Sequence, residues 1–261
     1  MNLLAILLIG VAFAHAACVA DPATTQSESS EQRTPVLVEL FTSEGCSSCP
    51  PADKLLAELG TKQPIHGALI VPMALHVDYW NNLGWTDPFA SAAFTDRQRA
   101  YASALRVRSI YTPQMIVDGQ REFVGSDAQA ARRAIADAAA QPKAKIEILV
   151  ENWRDDRVEL TIRLDRLPAG SNGAELMLAI TEDDLHSSVA RGENAGRKLA
   201  HTGAVRELRS LGTIDQDANA KKTSVELRRE WEREELRVIV FAQDRGSRRV
   251  VAIGSVEMLQ R

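Results

Sequence analysis

Residues 36–51 read VLVELFTSEGCSSCPP. The first six form a short run rich in β-branched and aromatic residues, which predicts a β-strand. Pro50 and Pro51 suit the opening positions of a helix, where a missing N–H costs little. Cys46 and Cys49 therefore lie where a strand passes into a helix. Free amides and the positive end of the helix dipole would stabilise a thiolate at Cys46, the attacking nucleophile, while Cys49, a turn into the helix, would resolve the mixed disulfide.

Strand and helix patterns alternate from this stretch to about residue 141. Alternation of this kind indicates a sheet with a parallel core that helices cover. The expected order is β-α-β-α-β-β-α, with strands at 36–41, 68–76, 114–117 and 121–124 and helices at 51–59, 94–105 and from a Ser126 cap to about 140.

From residue 143 onward the hydrophobic period changes to two. Apolar and polar residues alternate without interruption over 158–164. The same pattern is found at 146–148, 225–227 and 236–240. Several short strands separated by turn-prone clusters predict an antiparallel all-β sandwich. The expected organisation is a signal peptide at 1–17, a flexible tether at 18–34, an α/β domain at 35–142 and the sandwich at 143–261.

The N-terminus carries an apolar run, Leu3 to Ala14, that is too short to span a bilayer and is followed by small residues. This pattern predicts a signal peptide, with a buried N-terminal helix as the alternative. The segment His15-Ala16-Ala17-Cys18 is similar to the lipobox of bacterial lipoproteins, although His15 stands where that box prefers leucine. Cys18 is therefore a possible lipid-attachment site, and both a lipoprotein and soluble export remain open. Either way we expect a periplasmic, outer-membrane-anchored or secreted protein that contacts membrane only through that lipid.

Composition excludes several classes of function. The 31 lysines and arginines against 35 acids give a net charge of −4, which argues against nucleic acid as a partner. Three cysteines are too few for a disulfide-stapled scaffold or for an all-thiolate zinc site. The CxxC pair lacks a second CxxC or an HxxxH, so no structural metal is expected.

The CxxC unit together with Tyr111-Thr112-Pro113-Gln114-Met115 resembles the thioredoxin superfamily, in which a cis-proline opens the strand that faces the cysteines. The chain is still more similar to an uncharacterised family of bacterial exported proteins with a thioredoxin-like domain. The stretches that carry this second resemblance are 38–46, 75–80, 84–89, 97–101 and 191–197. The fold class implied is an α/β thioredoxin-like domain followed by the all-β antiparallel sandwich.

The resemblance also implies roles for individual residues. Cys46 would be the exposed nucleophile and Cys49 the resolving thiol. Pro113, in cis, would shape the floor of the site and keep metal off the cysteines. The backbone of Thr112 would pair with an extended substrate segment.

Three departures from the thioredoxin pattern leave the direction of electron flow open. Gly45 stands where thioredoxins carry a tryptophan, and Leu40 stands where they carry a buried acid. Glu39 is adjacent to that place but has the opposite parity, so it should face the other side of the sheet. The inner pair Ser47 and Ser48 is typical of neither reductants nor strong oxidants.

Further candidates surround the pair. His76, at the end of the second strand, is either a structural histidine or a proton donor, acceptor or third metal ligand. Trp80 and Trp85 form either a lid or peptide-binding lip or a local mini-core. Glu44, just before the CxxC, is a possible auxiliary residue. The charged, glycine-rich loop 191–197 is either a solvated hairpin or domain contact, or a binding site.

These observations predict an exported thiol–disulfide oxidoreductase that acts on protein thiols and disulfides through Cys46 and Cys49. The reaction needs no diffusible cofactor, but an unidentified redox partner must recycle the pair, and the sandwich would dock partners or serve structurally. Two alternatives remain. One is a copper- or zinc-handling protein that uses the same cysteines and His76. The other is a non-enzymatic binding module whose disulfide is structural.

Overall fold

The structure of the protein, a computed structural model, describes residues 33–154, 156–171, 173–214 and 220–258, which form one compact unit. The expected signal peptide, the lipid-attachment candidate Cys18 and all but the last two residues of the expected tether lie outside these ranges. Among the described residues, no helix is long and apolar enough to cross a membrane.

Three helices flank the strands: α1 (Pro50–Lys62), α2 (Ala92–Leu105) and α3 (Ala128–Ala139). Within the described part of the chain, one 3₁₀ turn spans Arg233–Glu235. The expected Ser126 cap of α3 was wrong, because the carboxylate of Asp127 accepts the amides of Gln129 and Ala130 at 3.0 and 2.9 Å. An aspartate in this position satisfies two of the orphan amides at the helix start.

The strands alternate with these helices in the first half and follow one another in the second. They are β1 (Thr34–Thr42), β2 (Ala68–His76), β3 (Gln114–Val117), β4 (Arg121–Val124), β5 (Ala144–Arg154), β6 (Arg157–Leu164), β7 (Ala174–Glu182), β8 (Leu185–Ser188), β9 (Lys198–His201), β10 (Ala204–Ile214), β11 (Ala220–Glu226), β12 (Leu236–Gln243) and β13 (Val250–Glu257).

Eleven of these strands form one mixed sheet, in the order β11-β6-β5-β13-β12-β7-β10-β2-β1-β3-β4. Strand β1 runs parallel to β2 and antiparallel to β3. The remaining two described strands, β8 and β9, pair with each other as a separate hairpin. The protein is therefore mostly β.

The expected fold class, a thioredoxin-like α/β domain followed by an all-β antiparallel sandwich, was wrong. The free edge of β2 pairs with β10 in parallel, at Ala74 and Ala204, and the amide of Ala74 donates to the carbonyl of Gly203 at 2.7 Å. Strands from both halves thereby join one sheet, and β5 also pairs in parallel with β13. Hydrophobic alternation shows which face of a strand is buried, but it does not show which strand lies along its edge.

The two faces of β1 carry different layers because its side chains alternate. Val36, Val38 and Leu40 pack with apolar residues of α1 and α3, whereas Leu37 and Phe41 pack with α2 and with strands of the second half. The carboxyl ends of β1 and β2 lie side by side, with Thr42 opposite His76. The CxxC turn leaves the sheet at this edge.

Candidate functional site

Cys46 and Cys49 form a disulfide in the turn between β1 and α1, with their Cα atoms 5.4 Å apart. This confirms that the two cysteines are a pair. Cys49 is the N-cap residue of α1 and not, as expected, a residue one turn into the helix. Cys46 precedes the helix by a full turn of chain.

The expected stabilisation of Cys46 by free helix amides was also wrong. Pro50 and Pro51 have no N–H, and the amides of Ala52 and Asp53 both donate to the carbonyl of Cys49, at 2.8 and 3.1 Å. No free backbone N–H therefore remains among residues 50–53. A different donor is present: the hydroxyl of Ser48 lies 3.4 Å from Cys46 Sγ. A hydroxyl at this position can donate to a thiolate once the disulfide is reduced.

The expected exposure of Cys46 was wrong. Cys46 and Cys49 are both 0% exposed, whereas the two serines between them, Ser47 and Ser48, are exposed. A covered disulfide is slow to react, because exchange requires an incoming thiolate to reach one of the sulfur atoms. What covers the pair therefore matters to any function.

Residues 189–197, which connect β8 to β9, lie against the CxxC turn; we refer to them as the cap segment. The Nδ2 atom of Asn194 donates to the backbone carbonyls of Glu44 and Cys46, at 2.8 and 2.9 Å. The amide of Ser47 donates to Glu193 Oε2 at 3.1 Å. The loop 191–197, whose role the sequence left open, is thus part of the site.

Glu44 is a buried carboxylate that joins three separate segments. It accepts hydrogen bonds from Trp85 Nε1 at 2.7 Å, from His201 Nε2 at 2.9 Å and from the hydroxyl of Ser187. Burial favours protonation of Glu44, but these three contacts outweigh it and hold its pKa below the usual range. The Glu44 side chain thereby anchors the β8–β9 hairpin beside the disulfide.

His76 pairs with a buried carboxylate, that of Asp87. Its Nδ1 atom lies 2.7 Å from Asp87 Oδ2, both side chains are buried, and the same carboxylate oxygen accepts the amide of Glu44 at 2.8 Å. Burial lowers the pKa of His76, but the charge of Asp87 and its hydrogen bond outweigh burial and raise that pKa above its ordinary value. The same pairing keeps the pKa of Asp87 low despite its burial.

The rings of His76 and His201 lie 4.8 Å apart, edge to face. Each keeps one buried nitrogen, Nε2 of His76 and Nδ1 of His201, that has no hydrogen-bond partner among the described residues. Two imidazoles and three carboxylates, those of Glu44, Asp53 and Asp87, are therefore close enough to interact electrostatically in one buried region.

Asp53 lies four residues after Cys49, so the two share one face of the helix start. Its carboxylate accepts the hydroxyl of Thr42 at 2.7 Å. Burial raises the pKa of Asp53, and the nearby His76 and His201 offset this only in part. A buried carboxyl group with a raised pKa keeps its proton to a higher pH than an ordinary aspartate does.

The peptide bond between Thr112 and Pro113 is cis, as the resemblance implied. The Thr112 hydroxyl accepts Trp80 Nε1 at 2.8 Å. Trp80 also explains Gly45, since a Cβ atom at Gly45 would lie 3.2 Å from Trp80 Cβ. Of the two indoles expected as a lip or a mini-core, Trp85 donates to Glu44, two residues before Cys46, and Trp80 donates to Thr112.

The structure links most of the predicted site residues. Cys46 is bonded to Cys49, Trp85 donates to Glu44, and Trp80, which packs near Gly45, donates to Thr112. His76 is linked to the Glu44 amide through Asp87 Oδ2. Sequence reasoning missed Asp53 and Asp87, and it named Asn194 only as part of the loop 191–197. Asp53 could have been found from its spacing to Cys49 along the helix. Asn194 carries no local signal, because its partners are 150 and 148 positions away.

The described residues contain no group of three or more histidine, cysteine, aspartate or glutamate side chains arranged to hold a metal ion. The two cysteines are bonded to each other, and His76 Nδ1 is held by Asp87. The metal-handling alternative would therefore require the reduced pair, and it stays a prediction.

Comparison with known proteins adds a family and a fold. A family model described as a protein of unknown function (DUF1223) matches residues 37–243, which confirms the expected resemblance to an uncharacterised family. The crystal structure of a protein from Agrobacterium tumefaciens is 27% identical, with a TM-score of 0.65 over 87% of this chain and 95% of that one. HBP35 of Porphyromonas gingivalis has a TM-score of 0.63 at 13% identity, over 87% of this chain and 76% of that one, and so shows similarity of fold alone. Among curated proteins, none matches.

Proposed function

Since the chain belongs to the DUF1223 family, described as proteins of unknown function, we propose from the site itself that the protein exchanges disulfides with protein thiols through Cys46 and Cys49. The observation that carries this proposal is where the disulfide lies. It joins two cysteines three residues apart at the start of a helix, with the Ser48 hydroxyl 3.4 Å from Cys46 Sγ. The buried carboxyl of Asp53, bonded to Thr42, lies one helical turn after Cys49. A structural staple needs neither of these groups.

The exchange proceeds in two steps. A partner thiolate attacks Cys46 Sγ, the Cys46–Cys49 bond breaks, and Cys49 leaves as a thiolate that takes up a proton. A second thiolate of the partner then attacks its own sulfur in the mixed disulfide, which releases Cys46 as a thiolate and leaves the partner oxidised. Two electrons pass from the partner to the pair, and the reverse sequence reduces a partner disulfide.

We assign to Asp53 the role of donating the proton that the departing Cys49 thiolate takes up. It shares the helix face of Cys49, and its raised pKa keeps a proton available at higher pH than an ordinary aspartate would. The Ser48 hydroxyl stabilises negative charge on Cys46 in place of the missing helix amides. These two groups give the two sulfur atoms different roles.

The proposal includes export, because disulfide exchange of this kind operates in oxidising compartments and residues 1–17 have the composition of a signal peptide. It requires a redox partner to recycle the pair and no diffusible cofactor. We also propose that kinship with the thioredoxin superfamily is limited to the local unit of β1, the CxxC turn, α1 and the Thr112–Pro113 segment. The sheet as a whole differs from that superfamily's.

Trapping of mixed disulfides tests the function. A Cys49→Ala variant expressed in the native host should accumulate disulfide-linked complexes that disappear on reduction, because Cys46 can no longer be released by Cys49. The matched control is the Cys46→Ala, Cys49→Ala double variant, which should trap nothing. An empty trap in the single variant would refute the proposal.

Two measurements separate the alternatives. A reduction potential of the purified protein below about −300 mV would mark the bond as an inert staple. Tight copper(I) binding by the reduced protein, lost in Cys46→Ser, would favour metal handling instead. The exchange proposal expects a higher potential and weak copper binding.

A further inference from the structure

We infer that the cap segment occupies the place of the partner protein, so that Glu193 and Asn194 decide which partners reach Cys46. The inference rests on the proposed disulfide exchange and adds its specificity. It starts from one fact: the disulfide is fully buried although the turn that carries it has two exposed serines. Something other than the CxxC turn itself excludes solvent from the sulfur atoms.

The first contact of the cap segment, between Glu193 and the Ser47 amide, resembles the hydrogen bond that a bound peptide would make. The Ser47 amide is a backbone donor in the CxxC turn, and its bond to Glu193 Oε2 is exposed to solvent. A carboxylate oxygen there takes the position that a backbone carbonyl of an incoming partner would need. A partner must therefore displace Glu193 or bring an equally good acceptor.

The second contact holds the cap over the cysteine. Asn194 is 1% exposed, and its Nδ2 atom bridges the carbonyls on both sides of Gly45. Its Oδ1 atom is buried without a hydrogen-bond partner among the described residues. The closed cap thus leaves one acceptor unsatisfied, which favours opening when a partner offers a donor.

The rest of the hairpin stays in place when the cap moves. Ser187 and His201, at the two ends of the hairpin, are both bonded to the buried Glu44. Within the cap, Gly192 and Gly196 have φ values of 79° and 81°, a region that favours glycine. Opening of residues 193–195 would break the backbone hydrogen bonds from Ala195 N to the Gly192 carbonyl at 3.1 Å and from Arg197 N to the Asn194 carbonyl at 3.0 Å, while Glu44 keeps β8 and β9 docked.

The rate of chemical reduction tests this inference on the full oxidised chain, without any catalytic assay. The two reductants are dithiothreitol and a long unstructured peptide that carries one cysteine; free thiols are alkylated at intervals and counted by mass. Glu193→Ala should speed reduction by the peptide roughly three- to tenfold, the effect of one hydrogen bond, and reduction by dithiothreitol less. The matched control is Glu226→Ala, an exposed carboxylate on β11 whose loss should leave both rates unchanged.

Two results would overturn the inference. One is an unchanged rate in Glu193→Ala; the other is a wild-type disulfide that already reacts as fast in the folded protein as in urea. Asn194→Ala is not used as a test, because loss of this buried side chain could unfold the protein. The second measurement is instead hydrogen exchange at the Ser47 amide, which should be faster in Glu193→Ala than in wild type. If Glu193→Ala is reduced faster but Cys49→Ala captures no partner, the role of the cap segment is supported and the exchange reaction is refuted. If the reduction rates of Glu193→Ala are unchanged but Cys49→Ala captures partners, only the inferred role of the cap segment is refuted.

Discussion

Asn194 Nδ2 donates to the backbone carbonyl of Cys46 at 2.9 Å, across 148 positions of sequence. The contact exists because β10 pairs with β2 and brings the neighbouring β8–β9 hairpin to the edge where β1 ends. The candidate site is therefore built from both halves of the chain. The cysteines come from the first half, and their cover comes from the second.

The reactivity of Cys46 should depend on Ser48. In the reduced protein we expect Ser48→Ala to slow alkylation of Cys46 by iodoacetamide at pH 7 roughly tenfold, because the thiolate loses a hydrogen bond from a hydroxyl 3.4 Å away. Alkylation followed by mass spectrometry measures the rate. Ser47→Ala, the exposed neighbour, serves as the control, and equal rates in the two variants would contradict the assigned role.

The buried pair of Glu39 and Arg97 should be important for stability. Glu39 lies on the face of β1 opposite the site, as its parity indicated, and accepts Arg97 Nε at 2.6 Å with both side chains buried. Glu39→Gln leaves a buried guanidinium without its counter-charge, so we expect a loss of about 3–5 kcal/mol in the free energy of unfolding. Urea denaturation measures it.

The same helix offers a matched control. Arg99 and Asp96 form an ion pair of 2.8 Å in which both side chains are mostly exposed. Asp96→Asn makes the same change from carboxylate to amide, and we expect it to cost less than about 1 kcal/mol. Similar losses in the two variants would show that burial does not decide the cost.

The His76–Asp87 pair should make stability fall as pH rises. The pKa of His76 is raised by Asp87 in the folded protein, so the pair stabilises fully below the unfolded value of about 6.5 and less as pH passes the folded pKa. Free energies of unfolding between pH 6 and 9 should decline in wild type. In His76→Gln that decline should be absent, and an identical decline would argue against a protonated His76.

Asp118 should act in a lower pH window. Burial raises its pKa to about 6, although Lys143 Nζ lies 2.7 Å away. A raised carboxyl pKa means that stability is greatest below about pH 4 and is lost as pH rises to about 6, by about 3 kcal/mol. Asp118→Asn should remove this dependence between pH 4 and 6 in denaturant titrations. If the free energy of unfolding of Asp118→Asn changes with pH as steeply as that of wild type, other groups cause the dependence.

Local pattern was enough for many elements. The expected bounds of β2, β3 and β4 are those observed, because β2 and β3 are short apolar runs and β4 follows the Asp118-Gly119 turn. The pairing of Cys46 with Cys49 was also within reach, since the two lie three residues apart, whereas the cis bond before Pro113 was implied by the resemblance to the thioredoxin superfamily. The start of α1, expected at residue 51, lies at Pro50, and Cys49 is its N-cap and not a residue one turn into the helix.

The amino-acid sequence by itself determined which residues form strands and helices, which face of each is apolar, and that two cysteines meet at a strand–helix junction. These depend on spacing and on residue type over a few positions. Only the tertiary structure decided that both halves share one sheet, that Cys46 is covered by Asn194, and that Glu44 is held by Trp85 and His201. Strand-edge hydrogen bonds use backbone groups that every residue carries, so no side-chain pattern names the partner strand, and the contacts that follow from that pairing cannot be read locally.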